Sequence, residues 1–284
     1  MLNQVLITEN KIEVSKLQWF YRATEVPSDK PPVLLLHGLP AHSYTWRGVM
    51  NCLADLGYRA IAPDWIGSGF SAKPDRRDFP YTPEAFLTAL GDLIAALKLE
   101  KFYLIVQGFL GSVGIQYALE HPEQIERMVI LNAPLTGDAK LPWVMKQLSL
   151  PFVGDMMTQD PLLVDRTLEK GSGFVVADRD LDVLRKPFLQ SSSVGRALMM
   201  TLKQLQLKKT TAQIETGLSQ WDKPTLILWG AADPWLDTTG VKQLETSRPN
   251  IETIELPEAK HYPQEHWYKE ITEEIGQFFR RQVL

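Results

Sequence analysis

The stretch Leu104-Ile-Val-Gln-Gly-Phe-Leu-Gly-Ser-Val-Gly114 begins as an apolar run, breaks at glycines and continues as a helical pattern that reaches His121 and stops at Pro122. This order of signals predicts a strand, a sharp turn and a helix, with Gly108 at the turn. In open parallel sheets, ligands bind at the carboxyl ends of the strands, where such a turn lifts one residue above the sheet. We therefore expect the functional site to be built around Gly108.

Strand and helix signals alternate along the rest of the chain. Short, continuous apolar runs are typical of strands that are covered on both faces, and amphipathic patterns indicate the helices between them. The predicted buried strands are 32–37, 58–63, 127–131, 224–229 and 251–256, and the predicted helices include 46–56, 83–97, 198–207 and 265–279. Segments 5–7 and 12–21 are expected to open the chain as an antiparallel pair. The alternation predicts an α/β protein with a mostly parallel central sheet and helices on both faces.

Composition excludes several classes of protein. The 284 residues are 44% hydrophobic and 23% charged, with a formal net charge of −4, and no basic block stands out, so nucleic acid is not expected as a partner. The first fourteen residues lack the pattern of a signal peptide and no apolar run is long enough to cross a membrane, which favours a cytoplasmic protein. Cys52 is the single cysteine, so no internal disulfide is expected. No His, Cys, Asp and Glu spacing indicates a metal site, and we expect no cofactor.

Five stretches match motifs of a known superfamily. They are 104–122 around Gly108, His37-Gly-Leu-Pro40, Gly67-Ser-Gly-Phe-Ser71, Trp229-Gly-Ala-Ala-Asp-Pro234 and Ala259-Lys-His-Tyr-Pro-Gln-Glu265. On these motifs, the chain resembles the haloalkane dehalogenases and epoxide hydrolases of the α/β-hydrolase superfamily, and the resemblance covers nearly its whole length. It implies an α/β-hydrolase core formed by residues 1–134 and 222–284, with residues 135–221 inserted as a helical cap.

The resemblance also implies a role for three positions. In the related enzymes the apex of the turn carries a nucleophile, followed along the chain by an acid and a histidine. The matching positions here are Gly108, Asp233 and His261. Asp233 alone would be interpreted as a turn residue, but His261 beyond the next strand favours an Asp–His pair. We expect the two side chains to be hydrogen-bonded, with the second imidazole nitrogen facing the space above Gly108.

The residues that the related chemistries require are replaced. Gly108 has no side chain and cannot form a covalent intermediate. Leu39 and Phe109 stand where dehalogenases hold the halide with side-chain donors, and no tyrosine lies between Tyr117 and Tyr262 to protonate an epoxide. Ser112 lies one helical turn beyond the apex, so we expect it to be structural. The sequence therefore predicts that the chain is neither a dehalogenase nor an epoxide hydrolase acting by the covalent mechanism.

Three functions remain open. His261 can act as a general base in a cofactor-independent enzyme, the chain can be a non-catalytic binder or receptor of a small apolar molecule, or it can be a protein-interaction scaffold. The backbone N–H groups of Leu39 and Phe109 are candidates for an oxyanion hole. The candidates for the lining of an apolar pocket, each of which could equally be ordinary core, are Leu39, Phe109, Leu110, Trp143 and Trp235. The sequence does not predict an oligomeric state.

The four other histidines are weaker candidates. His37 stands at a strand end beside a glycine, and we expect it to pack the loop that follows. For His42 the sequence leaves two alternatives open, lining of the site entrance or exposure to solvent. His121 and His266 lie at a helix end and in the last helix, and both are expected at the surface.

Overall fold

The computed structural model describes residues 6–150, 152–160 and 162–281. Eight strands form one sheet in the spatial order β1-β2-β4-β3-β5-β6-β7-β8. Their bounds are β1 Ile7–Val14, β2 Leu17–Thr24, β3 Val33–Leu36, β4 Ala60–Pro63, β5 Phe102–Gln107, β6 Ile125–Leu131, β7 Thr225–Gly230 and β8 Ile251–Leu256. Strands β1, β2 and β4 pair antiparallel, and every pairing from β4 across to β8 is parallel. The predicted mostly parallel α/β sheet is confirmed.

The described residues form twelve α-helices, several of which cover the two faces of the sheet. They are α1 Arg47–Asp55, α2 Pro83–Ala96, α3 Gly108–Glu120, α4 Trp143–Leu148, α5 Val153–Thr158, α6 Leu163–Ser172, α7 Asp178–Gln190, α8 Ser192–Gln204, α9 Leu207–Leu218, α10 Thr239–Ser247, α11 Pro263–His266 and α12 Tyr268–Arg280. None of these helices combines the length and the apolar character that a membrane span requires.

The sequence of strand β3 shows no alternation of apolar and polar residues because both faces of the strand are buried. Leu34 and Leu36 belong to the core beneath α2, α3 and α9, whereas Val33 and Leu35 belong to the core beneath α1 and α12. Because successive side chains of a strand point to opposite faces, a strand covered on both faces must be apolar at every position. All four residues are fully buried, and this continuous run places the loop that follows, which starts at His37, beside the end of β5.

Helices α4 to α9, the inserted helical segment, lie between β6 and β7 in the sequence. Helices α4, α5 and α8 pack against one another, whereas α9 packs against α3 of the core. Arg47 of α1 links this segment to the core, because its guanidinium contacts Asp180 of α7 at 3.1 Å and Glu265 of α11 at 2.9 Å. The boundaries of the expected domains, 134/135 and 221/222, stay a prediction.

The two strands of the opening hairpin have different bounds from those expected. Strands 5–7 and 12–21 were expected, but β1 and β2 are joined by a tight turn at Ser15 and Lys16, whose φ angles are 50° and 67°. The polar residues of β1 are compatible with a strand because β1 lies at the sheet edge, where one side faces solvent. Val5 lies outside the described residues. The expected helix 265–279 is divided at Trp267 into α11 and α12, and the expected helix 198–207 ends at Gln204.

Candidate functional site

Gly108 lies at the sharp junction between β5 and α3. Its φ angle is +71°, in the left-handed region that favours glycine. A Cβ atom at this position would stand 3.0 Å from Cα of Gly38 and 3.4 Å from Nε2 of His261. The glycine therefore permits close contact between the strand-to-helix turn, the loop that follows β3 and the histidine.

Gln107, the last residue of β5, holds the three segments of the site together. Its side-chain oxygen accepts a hydrogen bond from the Gly38 N–H at 3.2 Å, and its side-chain amide donates to the carbonyl oxygen of His261 at 2.7 Å. Gln107 is fully buried, so these bonds are shielded from water. The positions of Gly38 and His261 are thus fixed relative to Gly108.

Asp233 and His261 are hydrogen-bonded, with 2.8 Å between Oδ2 of the carboxylate and Nδ1 of the imidazole. The carboxylate is itself held in place, because Oδ2 accepts from Nδ2 of Asn132 at 2.8 Å and Oδ1 accepts from the N–H groups of Trp235 at 2.8 Å and Leu236 at 3.3 Å. An ionised carboxylate is an acceptor only, so each of these contacts has the required polarity. The arrangement assigns the imidazole proton to Nδ1.

Asn132 is a residue of the site that the sequence did not reveal. It follows β6 directly and has a φ angle of 39°. Its side chain also accepts from the Gly230 N–H at 2.8 Å and donates to the Gly230 carbonyl at 3.1 Å, so it fixes the loop that carries Asp233. The available signal was a polar residue directly after a buried strand, at the carboxyl edge of the sheet.

The second ring nitrogen of His261, Nε2, has a different environment. The side chain is 0% exposed, and among the described residues no group lies within hydrogen-bonding distance of Nε2. The aromatic rings of Trp235 and Phe109 flank the imidazole, with centroid separations of 4.6 Å and 5.4 Å. With the proton on Nδ1, the unpaired acceptor Nε2 is directed toward Gly108.

The residues expected to line an apolar pocket differ in how deeply they are buried. Leu39, Phe109 and Leu110 are buried around the turn, and Trp235 is half-buried beside His261. Trp143 is 69% exposed at the start of α4, and its place in the lining of the pocket stays a prediction. The carbonyl oxygen of Leu39 accepts a hydrogen bond from the Tyr262 hydroxyl at 2.6 Å.

The site is closed in this structure. Gly108, Phe109 and His261 are buried, and the side chain of His261 is 0% exposed, so solvent does not reach the imidazole. A cavity of about 240 Å³ lies nearby and is lined by Trp235 and Leu236. The N–H of Phe109 belongs to the first turn of α3, where backbone donors have no partner within the helix. Side chains thus surround Nε2 of His261, which has no hydrogen-bond partner among the described residues.

Ser112 and His37 have local hydrogen-bond partners. The Ser112 hydroxyl donates to the Phe109 carbonyl at 2.7 Å within α3. His37 is fully buried, with Nδ1 donating to the Gly38 carbonyl at 2.9 Å and Nε2 accepting from the Trp65 N–H at 3.1 Å. Both side chains therefore stabilise the loops and the turn around the site.

His42 is buried rather than solvated. Its Nε2–H donates to the Val183 carbonyl at 3.3 Å and Nδ1 accepts from the Tyr44 N–H at 3.4 Å. Burial lowers the pKa of His42 to about 4, although the nearby Asp64 carboxylate acts in the opposite direction. Burial also lowers the pKa of His37. Between pH 6.5 and about 4 the unfolded chain binds protons that folded His42 does not, so folding stability decreases as the pH falls through this range.

The remaining candidate groups lie away from the site. His121 is partly exposed beside Tyr117, and His266 is exposed and stacks on Phe174 at 3.5 Å between ring centroids. Within the described ranges, no three His, Cys, Asp or Glu side chains are grouped in a way that could hold a metal ion.

Comparison with known proteins agrees with this fold. The family model described as alpha/beta hydrolase fold matches residues 31–266. The chain is 26% identical to a cis-3-alkyl-4-alkyloxetan-2-one decarboxylase from Xanthomonas campestris, over 92% of each chain, and 27% identical to a haloalkane dehalogenase from Mycolicibacterium paratuberculosis, over 88% of this chain and 84% of that protein. The crystal structure of haloalkane dehalogenase DbeA from Bradyrhizobium elkani superposes with a TM-score of 0.85 at 23% identity, covering 96% of this chain and 97% of that one. The chain belongs to the α/β-hydrolase fold family.

Proposed function

We propose that the chain is a cofactor-independent enzyme in which His261 acts as a general base on a small apolar substrate, without a covalent intermediate. In this proposal Gly108 occupies the position of the family's nucleophile, and the acid and histidine of the family's triad remain as Asp233 and His261. The proposal retains the proton-transfer part of hydrolase chemistry and omits attack by the protein itself.

The unpartnered Nε2 of His261 is the observation that carries the proposal. A buried polar atom without a hydrogen bond costs about 1–3 kcal/mol. Nε2 of His261 is one of ten such side-chain atoms among the described residues, and it is directed toward the turn at Gly108. An Asp–His pair kept only for packing would gain nothing from a second nitrogen that faces a glycine. A proton donor, either water or a substrate, supplies the missing partner when it enters the space between Gly108 and His261.

The geometry supports one sequence of proton transfers. Nε2 accepts a proton from bound water or from an acidic position of the substrate, and Asp233 stabilises the imidazolium that forms. Negative charge that develops on a substrate oxygen is stabilised by the N–H groups of Leu39 and Phe109. In ester hydrolysis the water oxygen bonds to the carbonyl carbon while its proton moves to Nε2. The ester C–O bond then breaks, and the imidazolium returns the proton to the leaving alkoxide, which regenerates neutral His261.

The proposal does not include the activity of the haloalkane dehalogenases. The dehalogenases require a nucleophile and halide donors, for which this chain has Gly108, Leu39 and Phe109. We expect no halide release from short bromoalkanes by the unmodified chain. In the variant Gly108→Asp/Leu39→Asn/Phe109→Trp, the missing groups are present and halide release is expected, provided that water reaches His261.

Entry of a substrate requires a side chain to move, because the site is closed. Trp235 is the best candidate, since its ring is only partly buried and packs directly on His261 at 4.6 Å between centroids. Rotation of the ring toward the adjacent cavity of about 240 Å³ opens a path from solvent to Nε2. Trp235→Ala is therefore expected to accelerate turnover of small probes.

The closure of the site also supports a second candidate function. A site filled by Phe109, Leu110 and Trp235 is compatible with a protein-interaction scaffold in which the dyad is a structural remnant. A non-catalytic binder of an apolar molecule is intermediate between the two, because it needs space at Gly108 but no proton transfer. The retained, fully hydrogen-bonded Asp233 favours the enzyme over both.

Hydrolysis of 4-nitrophenyl acetate and butyrate, with a panel of small lactones, tests the proposal. His261→Gln is expected to lower the rate by about 10²–10⁴-fold, the usual contribution of a general base. Ser112→Ala is the matched control and should stay within twofold of the unmodified chain. Equal rates for the unmodified chain and His261→Gln across the panel would contradict the enzyme proposal. Retained binding of the same molecules would then favour the binder, and no binding would favour the scaffold.

A further inference from the structure

A second cavity, of about 360 Å³, lies between the loop that follows β4 and helix α8. The loop contributes Lys73 and Arg76, and α8 contributes Arg196, Met199 and Lys203. Its volume is within the range of about 300–1,000 Å³ that is typical of small-molecule sites. None of the residues that line it belongs to the site around Gly108 and His261.

The charge of this cavity is unusual for the chain. Its lining includes four basic side chains, Lys73, Arg76, Arg196 and Lys203, and one acidic side chain, Asp75. The chain as a whole has a net charge of −4. No carboxylate of the described residues lies within ion-pairing distance of any of these four cations. The basic groups are thus available to an anion from solution.

The hydrogen bonds of these cations are made to neutral groups. Arg196 donates to the Ser192 hydroxyl at 2.8 Å, and the Lys73 ammonium donates to the Gly69 carbonyl. Lys73 is half-buried, and burial lowers its pKa to about 8. A buried or half-buried ammonium gains when an anion becomes its partner, because the anion compensates the lost hydration.

The cavity also has apolar lining residues, which are more buried than most of its cations. They are Met199, Met200 and Ala197 of α8 and Pro74 and Tyr81 of the loop, whereas Arg76, Arg196 and Lys203 are exposed. Methionine side chains are flexible and polarisable, so they adapt to aliphatic chains of different shape. The cavity therefore combines a cationic rim with an apolar floor.

We propose that this cavity binds an amphipathic organic anion, a carboxylate with a short aliphatic chain. The carboxylate is held by Arg196 and Lys203 with Lys73, and the chain lies on Met199 and Met200. A guanidinium accommodates a carboxylate through two parallel hydrogen bonds, which favours this head group over a neutral one. The assignment does not depend on the function proposed for His261.

Calorimetric titration at low ionic strength with octanoate tests the proposal. We expect saturable binding of one octanoate per chain. Hexanoate, which is two methylenes shorter, should bind about sixteenfold more weakly, because each buried methylene contributes a factor of about four. Octan-1-ol, which lacks the charge, and inorganic phosphate, which lacks the chain, should each bind at least tenfold more weakly than octanoate.

Variants locate the site. Arg196→Gln/Lys203→Gln is expected to weaken octanoate binding at least tenfold, and Met199→Gln should weaken it while leaving the charge unchanged. Lys208→Gln on the exposed side of α9 is the matched control for loss of a positive charge and should have no effect. His261→Gln should also bind octanoate normally, which separates this site from the proposed active site.

Two results would show that octanoate does not bind in this cavity, and a third would refute the proposed ligand class. One is the absence of saturable octanoate binding by the unmodified chain. The other is octanoate binding that Arg196→Gln/Lys203→Gln does not change, since the anion would then occupy another place. If phosphate binds as tightly as octanoate, the apolar floor takes no part and the proposed ligand class is wrong.

Discussion

Replacement of Gly108 by alanine should destabilise the fold in two separable ways. The φ angle of +71° is unfavourable for any residue with a Cβ, at about 1–2 kcal/mol. The added methyl group would also stand 3.0 Å from Cα of Gly38, a backbone atom that Gln107 holds in place. Overpacking of this kind costs about 1–3 kcal/mol, so the expected total loss is about 2–5 kcal/mol.

Gly57→Ala is the matched control, because it isolates the backbone contribution. Gly57 has a φ angle of 77°, and a Cβ there would meet only the flexible end of Lys30 at 3.5 Å. Both substitutions change the entropy of the unfolded chain equally, so that effect cancels in the comparison. Urea unfolding followed by tryptophan fluorescence should show Gly108→Ala to be less stable than Gly57→Ala by about 1–3 kcal/mol, the overpacking contribution. Equal losses in the two variants would refute the close contact between Gly38 and Gly108.

Three further predictions concern chemistry and stability elsewhere. Gly108→Asp alone should give at most a trapped alkyl ester with short bromoalkanes, detected by mass spectrometry, because the halide has no side-chain donor; steady halide release would contradict this. The free energy of unfolding is expected to fall as the pH is lowered from 7 to 4.5, and His42→Gln should make this fall smaller by about 2 kcal/mol. The reason is that, in this pH range, His42 is protonated in the unfolded chain but not in the folded protein. An unchanged pH dependence of urea unfolding would show that His42 does not cause the fall in stability. Arg47→Met should cost about 3 kcal/mol because it leaves buried Glu265 unpaired, and adding Glu265→Gln should recover part of that loss in the same assay.

The fold was predictable because its signals are local. The fully apolar run of β3 and the glycine-marked turn after β5 each specify one element without knowledge of the others. The opening hairpin was placed wrongly because an edge strand tolerates polar residues, and the turn at Ser15 and Lys16 contains no glycine, proline or asparagine. A turn formed by residues such as Ser15 and Lys16, without glycine, proline or asparagine, is therefore difficult to predict from the sequence.

The site was predictable only in part. The contact between Asp233 and His261 follows from two motifs whose order along the chain matches the family. The closure of the space beside Gly108 depends on how rings from distant segments pack, and no local pattern encodes that packing. The burial of His42 and the hydrogen bonds of Asn132 to Gly230 and Asp233 could not be predicted for a similar reason. Each depends on partners more than ninety residues away in sequence.

The central claim is that His261 promotes a reaction in which the protein forms no covalent bond with its substrate. Intact-protein mass spectrometry, during turnover of the probe ester that the chain hydrolyses fastest, tests this claim most directly. Samples quenched before and during the first turnover should show an unmodified protein mass while product accumulates, and this accumulation should be absent in His261→Gln. An acyl adduct on the unmodified chain, with Ser112 as the first residue to map, would contradict the account.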